Sequence, residues 1–272
     1  MTELPDWQRG MALMGEHAPG DLRVIKLDDA GRISAFVIDS SDAWGEMLSI
    51  GNAELAARLG SLVHHDRRGQ VTYLDDFSQG TGEWVLSGNG VGNEQIIVPT
   101  PSLNGGYAVK LTAGAAVGTM AQAFTCVPAV PTGSVGAAAI FSLGTAPDRV
   151  ELNIKYYTGA RVHWYTVRWD LNTELLRVRT GLAAWTQVAA NVTPYYDEHF
   201  FNYIKLVFDA DEEYYTRLLL NELGPDVTAC ERYSIGDVTT ARIEAWVQVY
   251  SDVVGNDIIY LDSMVITTNE PT

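Results

Sequence analysis

From residue 71 onward the chain is punctuated, at roughly 8–12-residue spacing, by clusters of Gly, Asn, Asp and Ser. The pieces between these clusters are rich in Val, Ile, Tyr, Thr and Phe. Runs this short cannot bury a helical stripe of useful length, whereas β-branched and aromatic residues suit a pleated surface. The expected strands are Val71–Phe77, Glu83–Leu86, Gln95–Val98, Tyr107–Thr112, Thr119–Val127, Val135–Ser142 and Val150–Tyr157. They continue as Arg161–Asp170, Leu175–Thr180, Thr186–Val188, Tyr203–Asp209, Tyr214–Asn221, Ala241–Ser251 and Asp257–Thr267. Gly88-Asn-Gly-Val-Gly92, Asn104-Gly-Gly106, Asp170-Leu-Asn-Thr173 and Val254-Gly-Asn256 supply the turns. The fold class this predicts is all-β, a sandwich or barrel over residues 71–272.

Residues 1–70 read differently, as a small attachment or docking segment of β-hairpins and one short helix. Asp21 to Asp39 forms two apolar runs around Asp28-Asp-Ala-Gly31, the pattern of a hairpin whose Gly31 takes a positive φ. Leu62 to Asp75 repeats the idea around Arg67-Arg-Gly69. Between them, Asn52 to Gly60 carries the cap and stop signals of a short helix.

The net charge of −16 disfavours contact with phosphate backbones and anionic lipid, so neither nucleic acid nor membrane is an expected partner. The N-terminus has no basic stretch followed by an apolar run, and no segment approaches the length of a membrane span, so a soluble protein made in a cytoplasm is expected. Cys126 and Cys230 lie in no metal-ligand spacing, and two free buried thiols are expected.

Catalytic motifs are missing. There is no Gly-x-Ser-x-Gly elbow, no His-Glu-x-x-His and no phosphate loop ending in Gly-Lys-Ser/Thr, and Gly88–Gly92 precedes a strand, which makes it a turn. His64 and His65 would point to opposite faces of a strand, and His163 has no identifiable nucleophile to serve. No strand carries a Glu-x-Asp-x-Glu array of carboxylates, as a concanavalin-like hydrolase or lyase would need. An enzyme is therefore not expected.

Two features invite a ligand. Arg161-Val-His-Trp-Tyr-Thr-Val-Arg-Trp169 places large rings on both faces of one strand, so its second face either packs or binds something. Trp164, Tyr165, Trp169 and Trp185 are the candidates for stacking on sugar rings. Asp76 lies at the end of the first sandwich strand and Asp262 within the last; in a jelly roll these strands commonly meet, so the two are the candidate pair for a calcium ion, although calcium takes six to eight oxygens.

Tyr73-Leu-Asp-Asp-Phe77, Trp84, Tyr203-Ile-Lys-Leu-Val-Phe-Asp209, Leu218-Leu-Leu-Asn221 and Ile259 to Ile266 resemble the jelly-roll sandwiches of carbohydrate-binding modules and laminin-G/concanavalin-like domains. Asp6-Trp-Gln-Arg-Gly10, Lys26 to Ile33, Glu54 to Ser61 and Asp66-Arg-Arg-Gly69 resemble the anchoring portions of tailed-bacteriophage virion proteins, although the shaft repeats of a tail fibre are missing. These resemblances imply a structural virion protein that docks on a phage capsid or tail, as a decoration or tail component, and displays a sandwich for host-surface or glycan adhesion. Attachment to a symmetric particle implies a homo-oligomer, dimer or trimer. The alternatives are a carbohydrate-binding module outside a virion and a concanavalin-like glycoside hydrolase or lyase.

Overall fold

The computed structural model describes residues 23–27, 33–38, 66, 68–103, 106–129, 132–251 and 256–271. The chain divides into two compact units, Met1–Leu55 and Ala56–Thr272. In the first, β1 (Arg23–Leu27) and β2 (Ile33–Ile38) pair antiparallel, the hairpin expected around Gly31. The short helix expected over Asn52–Gly60 lies outside the described residues, as do His64 and His65.

The second unit is a sandwich of two antiparallel sheets, and no helix occurs among the described residues. Its strands are β3 (Gln70–Asp75), β4 (Val85–Gly88), β5 (Glu94–Val98), β6 (Ala108–Thr112), β7 (Met120–Pro128), β8 (Ser134–Leu143) and β9 (Arg149–Tyr157). They continue with β10 (Arg161–Asp170), β11 (Leu175–Arg179), β12 (Trp185–Ala189), β13 (Phe201–Asp209) and β14 (Tyr215–Leu220). The last three are β15 (Tyr233–Gly236), β16 (Arg242–Tyr250) and β17 (Ile258–Thr268). The eight-stranded sheet runs β12-β11-β10-β9-β16-β7-β4, with β15 also on β10; the seven-stranded sheet runs β14-β13-β8-β17-β6-β5, with β3 also on β17. The first and last strands of the sandwich do meet, Leu74 opposite Val265. Of the hairpin expected over Leu62–Asp75, the second arm is β3, which pairs with β17, and the first arm lies outside the described residues. Gly88–Gly92 is the turn from β4 to β5.

Inward-facing side chains alternate along the strands and meet between the sheets. Val150, Leu152 and Ile154 of β9, Tyr165, Val167 and Trp169 of β10, and Ala245, Val247 and Val249 of β16 face Ile204, Leu206 and Phe208 of β13 and Phe141 of β8. In β17 the alternation slips: Ile259 and Leu261 point inward, then Met264 and Ile266 do, because the register shifts between Leu261 and Ser263. A bulge adds one residue and restores an inward apolar row, so Asp262 sits at the irregular position.

The outer face of the seven-stranded sheet is covered too. All ten residues of β8 are buried, and Ala138, Ile140, Tyr203 and Val265 form a second apolar cluster there. Beside it lies a network of four charges. Lys205 Nζ lies 2.9 Å from Asp66 Oδ2 and 2.6 Å from Glu270 Oε1, while Arg217 Nη2 lies 2.8 Å from Asp66 Oδ2 and also contacts Glu270. The side chains of Lys205, Asp66 and Glu270 are 2%, 3% and 0% exposed, so water does not compete for these charges. Arg217 also donates to Pro271 O and Lys205 to Arg68 O, which clasps the chain on both sides of the sandwich to β13 and β14. Gly136 makes room for the clasp: a Cβ there would lie 2.6 Å from Thr267 Oγ1 and 3.1 Å from Lys205 Cε.

Candidate functional site

The outer face of the eight-stranded sheet carries the side chains that the core does not use. On β10 these are Val162, Trp164, Thr166, Arg168 and Asp170, alternating with inward Tyr165, Val167 and Trp169. On β9 they are Arg149, Glu151, Asn153, Lys155 and Tyr157, and on β16 Arg242, Glu244, Trp246, Gln248 and Tyr250. Antiparallel register lines them up across strands. Cys126, Glu244, Lys155, Trp164 and Tyr233 form one row over β7, β16, β9, β10 and β15. Phe124, Trp246, Asn153 and Thr166 form the next.

Rings and cations interleave across these rows. Phe124 stacks on Trp246 at 3.9 Å. Lys155 Nζ lies 3.7 Å from the Trp246 ring centre and 4.5 Å from that of Trp164. Arg179 covers the other indole at 4.6 Å and the Tyr233 ring at 4.8 Å. Arg168 lies over Trp185 at 3.7 Å, and Arg149 over Tyr250 at 3.9 Å. Such contacts hold the long side chains against the rings.

The split edge of β10 explains why Arg179 reaches Trp164. β15 pairs with residues 161–164 of β10 and β11 with residues 167–170, on the same side. The Tyr215 hydroxyl fills the gap, accepting from Thr166 N at 2.9 Å and donating to Arg179 O at 2.8 Å. It thereby fixes the end of β11 beside the middle of β10.

Carboxylates on this face are engaged. Glu151 accepts from Arg149 Nε at 3.0 Å and Arg168 Nε at 2.8 Å. Glu244 accepts from Arg242, from the Tyr157 hydroxyl at 3.3 Å and from Trp246 Nε1 at 3.1 Å. Asp170 pairs with Arg177 at 2.8 Å. By contrast Asn153 Oδ1, Thr166 Oγ1 and Trp164 Nε1 are buried without a hydrogen-bond partner. Burial pushes the Lys155 ammonium below its ordinary pKa; Glu244 opposes this, and Arg179 and Arg242 push the same way.

The residues expected at a binding site separate into two groups. Trp164 and Trp185 are half-buried on the outer face. Tyr165 and Trp169 are 0% exposed in the core and are removed as stacking platforms. Tyr165 stacks on Phe208 at 3.9 Å, and Trp169 Nε1 donates to Val192 O at 3.0 Å. Alternation alone separates positions 164 and 165, but which parity faces inward is decided by the opposing sheet. Trp246, Lys155, Arg179 and Tyr233 were missed; the pattern aromatic-Ser-Ile-Gly of β15 is too short to read as a strand.

Cys126 is exposed on the outer row, which corrects the expectation of two buried thiols; Cys230 is buried. Cys126 also lines a cavity of about 630 Å³ with Tyr73, Glu83, Pro128 and Ile243. His163 is 2% exposed, accepts a hydrogen bond from Arg232 Nε at 3.2 Å and lies 3.6 Å from Glu213. Burial, helped by Arg232 and Arg161, lowers its pKa to about 4, so it stays neutral near pH 7. The Asp209–Glu213 tip is the β13–β14 turn, where Asp211 and Glu212 are exposed and Glu213 pairs with Arg232.

Asp262 is buried, and its Oδ1 accepts from Ser102 Oγ at 3.1 Å and Leu103 N at 2.7 Å. Its Oδ2 has no partner. Asp76 Oδ1 accepts from Ser78 N at 3.0 Å. No group of three or more His, Cys, Asp or Glu that could hold a metal occurs among the described residues. Burial pushes the Asp262 carboxyl above its ordinary pKa, and the nearby Asp76 charge adds to this. An acid raised in this way binds more protons when folded, so stability falls as pH rises from the ordinary carboxylate pKa through the raised one. Asp262→Asn keeps the Oδ1 acceptor and is expected to remove that fall. Melts in EDTA between pH 4 and 8 check this; a wild type that matches the variant at pH 7 would contradict it.

No protein-family model matches the chain, and no curated protein matches it in sequence. Solved structures match in fold. A carbohydrate esterase from the Shiga toxin-encoding bacteriophage phi24B aligns with a TM-score of 0.50 at 11% identity, over 74% of this chain and 100% of that one. The carbohydrate recognition domain of Emp46p aligns at 0.48 and 8%, over 73% and 94%. Peanut lectin aligns at 0.43 and 12%, over 74% and 97%. The correspondence with the phage esterase is one of fold alone: this chain is a β-sandwich of two antiparallel sheets.

Proposed function

We propose that the protein binds glycans through the outer face of its eight-stranded sheet and is displayed on a phage particle, with residues 1–70 docking on capsid or tail. The observation that carries the glycan reading is the run of ring–cation contacts Trp246–Lys155–Trp164–Arg179–Tyr233, which crosses two rows of the sheet and alternates half-buried rings with hydrogen-bond donors. Sugars present apolar ring faces and a rim of hydroxyls, and such a run matches both. Particle display is supported by the resemblance of the N-terminal segment to phage anchoring segments. Assembly as a dimer or trimer would follow the symmetry of the particle.

The face acts by binding rather than turnover in this reading. Glycoside hydrolysis needs one carboxyl free to protonate and another to attack or to activate water. Glu151, Glu244 and Asp170 are each held by arginine.

Screening the full chain against a glycan array, with calcium and with EDTA, tests the proposal. Trp164→Ala is expected to weaken binding by about 2 kcal/mol, roughly thirtyfold, with the fold unchanged by circular dichroism. Loss of binding in EDTA alone would assign calcium a part, with Asp76 and Asp262 its first candidates. A blank array in both conditions would overturn the glycan reading, and new reducing ends released from a bound polysaccharide would overturn the non-enzymatic one. Cosedimentation with phage particles, lost on deleting residues 1–70, tests the display.

A further inference from the structure

The charge of the outer face runs against that of the chain. The chain carries −16, yet this face gathers Arg149, Lys155, Arg168, Arg177, Arg179 and Arg242 against four carboxylates, Asp148, Glu151, Asp170 and Glu244, of which Asp148 pairs with Arg149 at 2.9 Å. Acidic residues dominate elsewhere, so the cations are concentrated where the rings are.

Two of the six cations have no carboxylate within ion-pair distance. Glu151 serves Arg149 and Arg168, Asp170 serves Arg177, and Glu244 serves Arg242. That leaves Lys155 and Arg179, and both lie against Trp164, at 4.5 and 4.6 Å from its ring centre. Arg179 spends Nε and Nη2 on the carbonyls of Gly181 and Leu182 at 3.0 and 2.9 Å, and its Nη1 has no acceptor among the described residues. The Lys155 ammonium is held between two indoles and has no hydrogen-bond acceptor among the described residues. Holding an ammonium partly out of water with no oxygen to receive its protons costs free energy that an anionic ligand would recover.

We infer that the face selects acidic polysaccharide, with the ring of one sugar against Trp164 and its carboxylate or sulfate between Lys155 and Arg179. This rests on the glycan reading above and adds its substrate class. Arg179 offers the planar donor edge that suits either oxyanion, and Lys155 a compact charge. The negative remainder of the chain would repel a polyanion that strays from the face, so electrostatics would confine as well as attract.

Immobilised polygalacturonate, κ-carrageenan (a galactan with sulfate and no carboxylate) and neutral galactan provide the probes, with carboxyl-reduced polygalacturonate and desulfated carrageenan as matched controls. Binding to at least one acidic polymer is expected to exceed binding to its neutralised counterpart by tenfold or more, and to weaken as salt rises from 50 to 500 mM. Which acidic polymer wins separates carboxylate from sulfate. Lys155→Met keeps the aliphatic packing between the indoles, and Arg179→Met keeps the stem; each is expected to lose about tenfold, with little effect on neutral galactan. Equal binding to acidic and neutralised polymers, unaffected by either substitution, would overturn this inference and leave the glycan reading standing. Failure to bind any polymer would overturn both. Single-stranded oligothymidylate bound as tightly as the best polysaccharide would show a general polyanion surface and overturn the selection of sugar.

Discussion

Lys205→Met is expected to destabilise the sandwich by about 3–5 kcal/mol, because it leaves Asp66 and Glu270 buried with one cation between them. The side chains of both acids are 3% exposed or less, so neither recovers hydration without opening the structure. In a unit of this size, 1 kcal/mol corresponds to about 2–4 °C in Tm, so a fall on the order of 10 °C is expected. The double variant Lys205→Met, Glu270→Gln removes one charge of each sign and is expected to recover part of the loss. Urea unfolding of the three proteins checks this. A single variant within 1 kcal/mol of the wild type, or a double variant worse than the single, would refute the clasp as a stabilising network.

The same network sets an acid limit. Burial pushes the Asp66 carboxyl up, but hydrogen bonds from Lys205 and Arg68 and the charges of Lys205 and Arg217 outweigh it and bring its pKa to about 2. A carboxyl lowered on folding stabilises above its ordinary pKa, and the contribution is lost as pH falls through the lowered one. Its share of stability should therefore hold down to about pH 4 and fade towards pH 2. In Lys205→Met the folded carboxyl loses its largest lowering influence and moves back towards its unfolded value, so that fading should shrink.

The second large effect is Trp169→Ala, expected to cost about 3–5 kcal/mol through the cavity it leaves. The carbonyl of Val192 would also lose its indole donor. Five residues earlier on the same strand, Trp164→Ala should cost far less stability and most of the binding. The crossing of these two outcomes, one tryptophan read by urea and the other by glycan affinity, tests which parity of β10 faces the core. Equal stability losses would show that the outer face is itself packed in solution.

Much of the fold was legible because strand signals here are strong and local. All fourteen named segments begin and end within two residues of an observed strand, and the whole of Glu83–Leu86 is displaced by two, to Val85–Gly88. Only Tyr233–Gly236 went unread, since four residues among Thr, Asp and Gly give no period to detect. The candidate site was less legible. Trp164 and Trp185 could be picked for size, but so were Tyr165 and Trp169, because a strand with rings on both faces does not announce its inner one. Lys155, Trp246 and Arg179 belong to three strands far apart in sequence and meet only through register. The bulge at Asp262 and the clasp are likewise products of pairing, invisible to any local pattern.

The clasp also fixes how the sandwich bears a pull. Asp66 and Glu270 meet the same two cations on β13 and β14, while the rows of rings lie on the other sheet. A pull applied to the chain at Asp66 and opposed from the far sheet would cross the thickness of the sandwich. Its first resistance would be the ion network of three buried charges and the half-buried Arg217, rather than the hydrogen bonds of β3, which could otherwise be peeled from β17 one pair at a time. The ion network thus works as a strain relief, keeping load at the entry point from reaching the sheet edge.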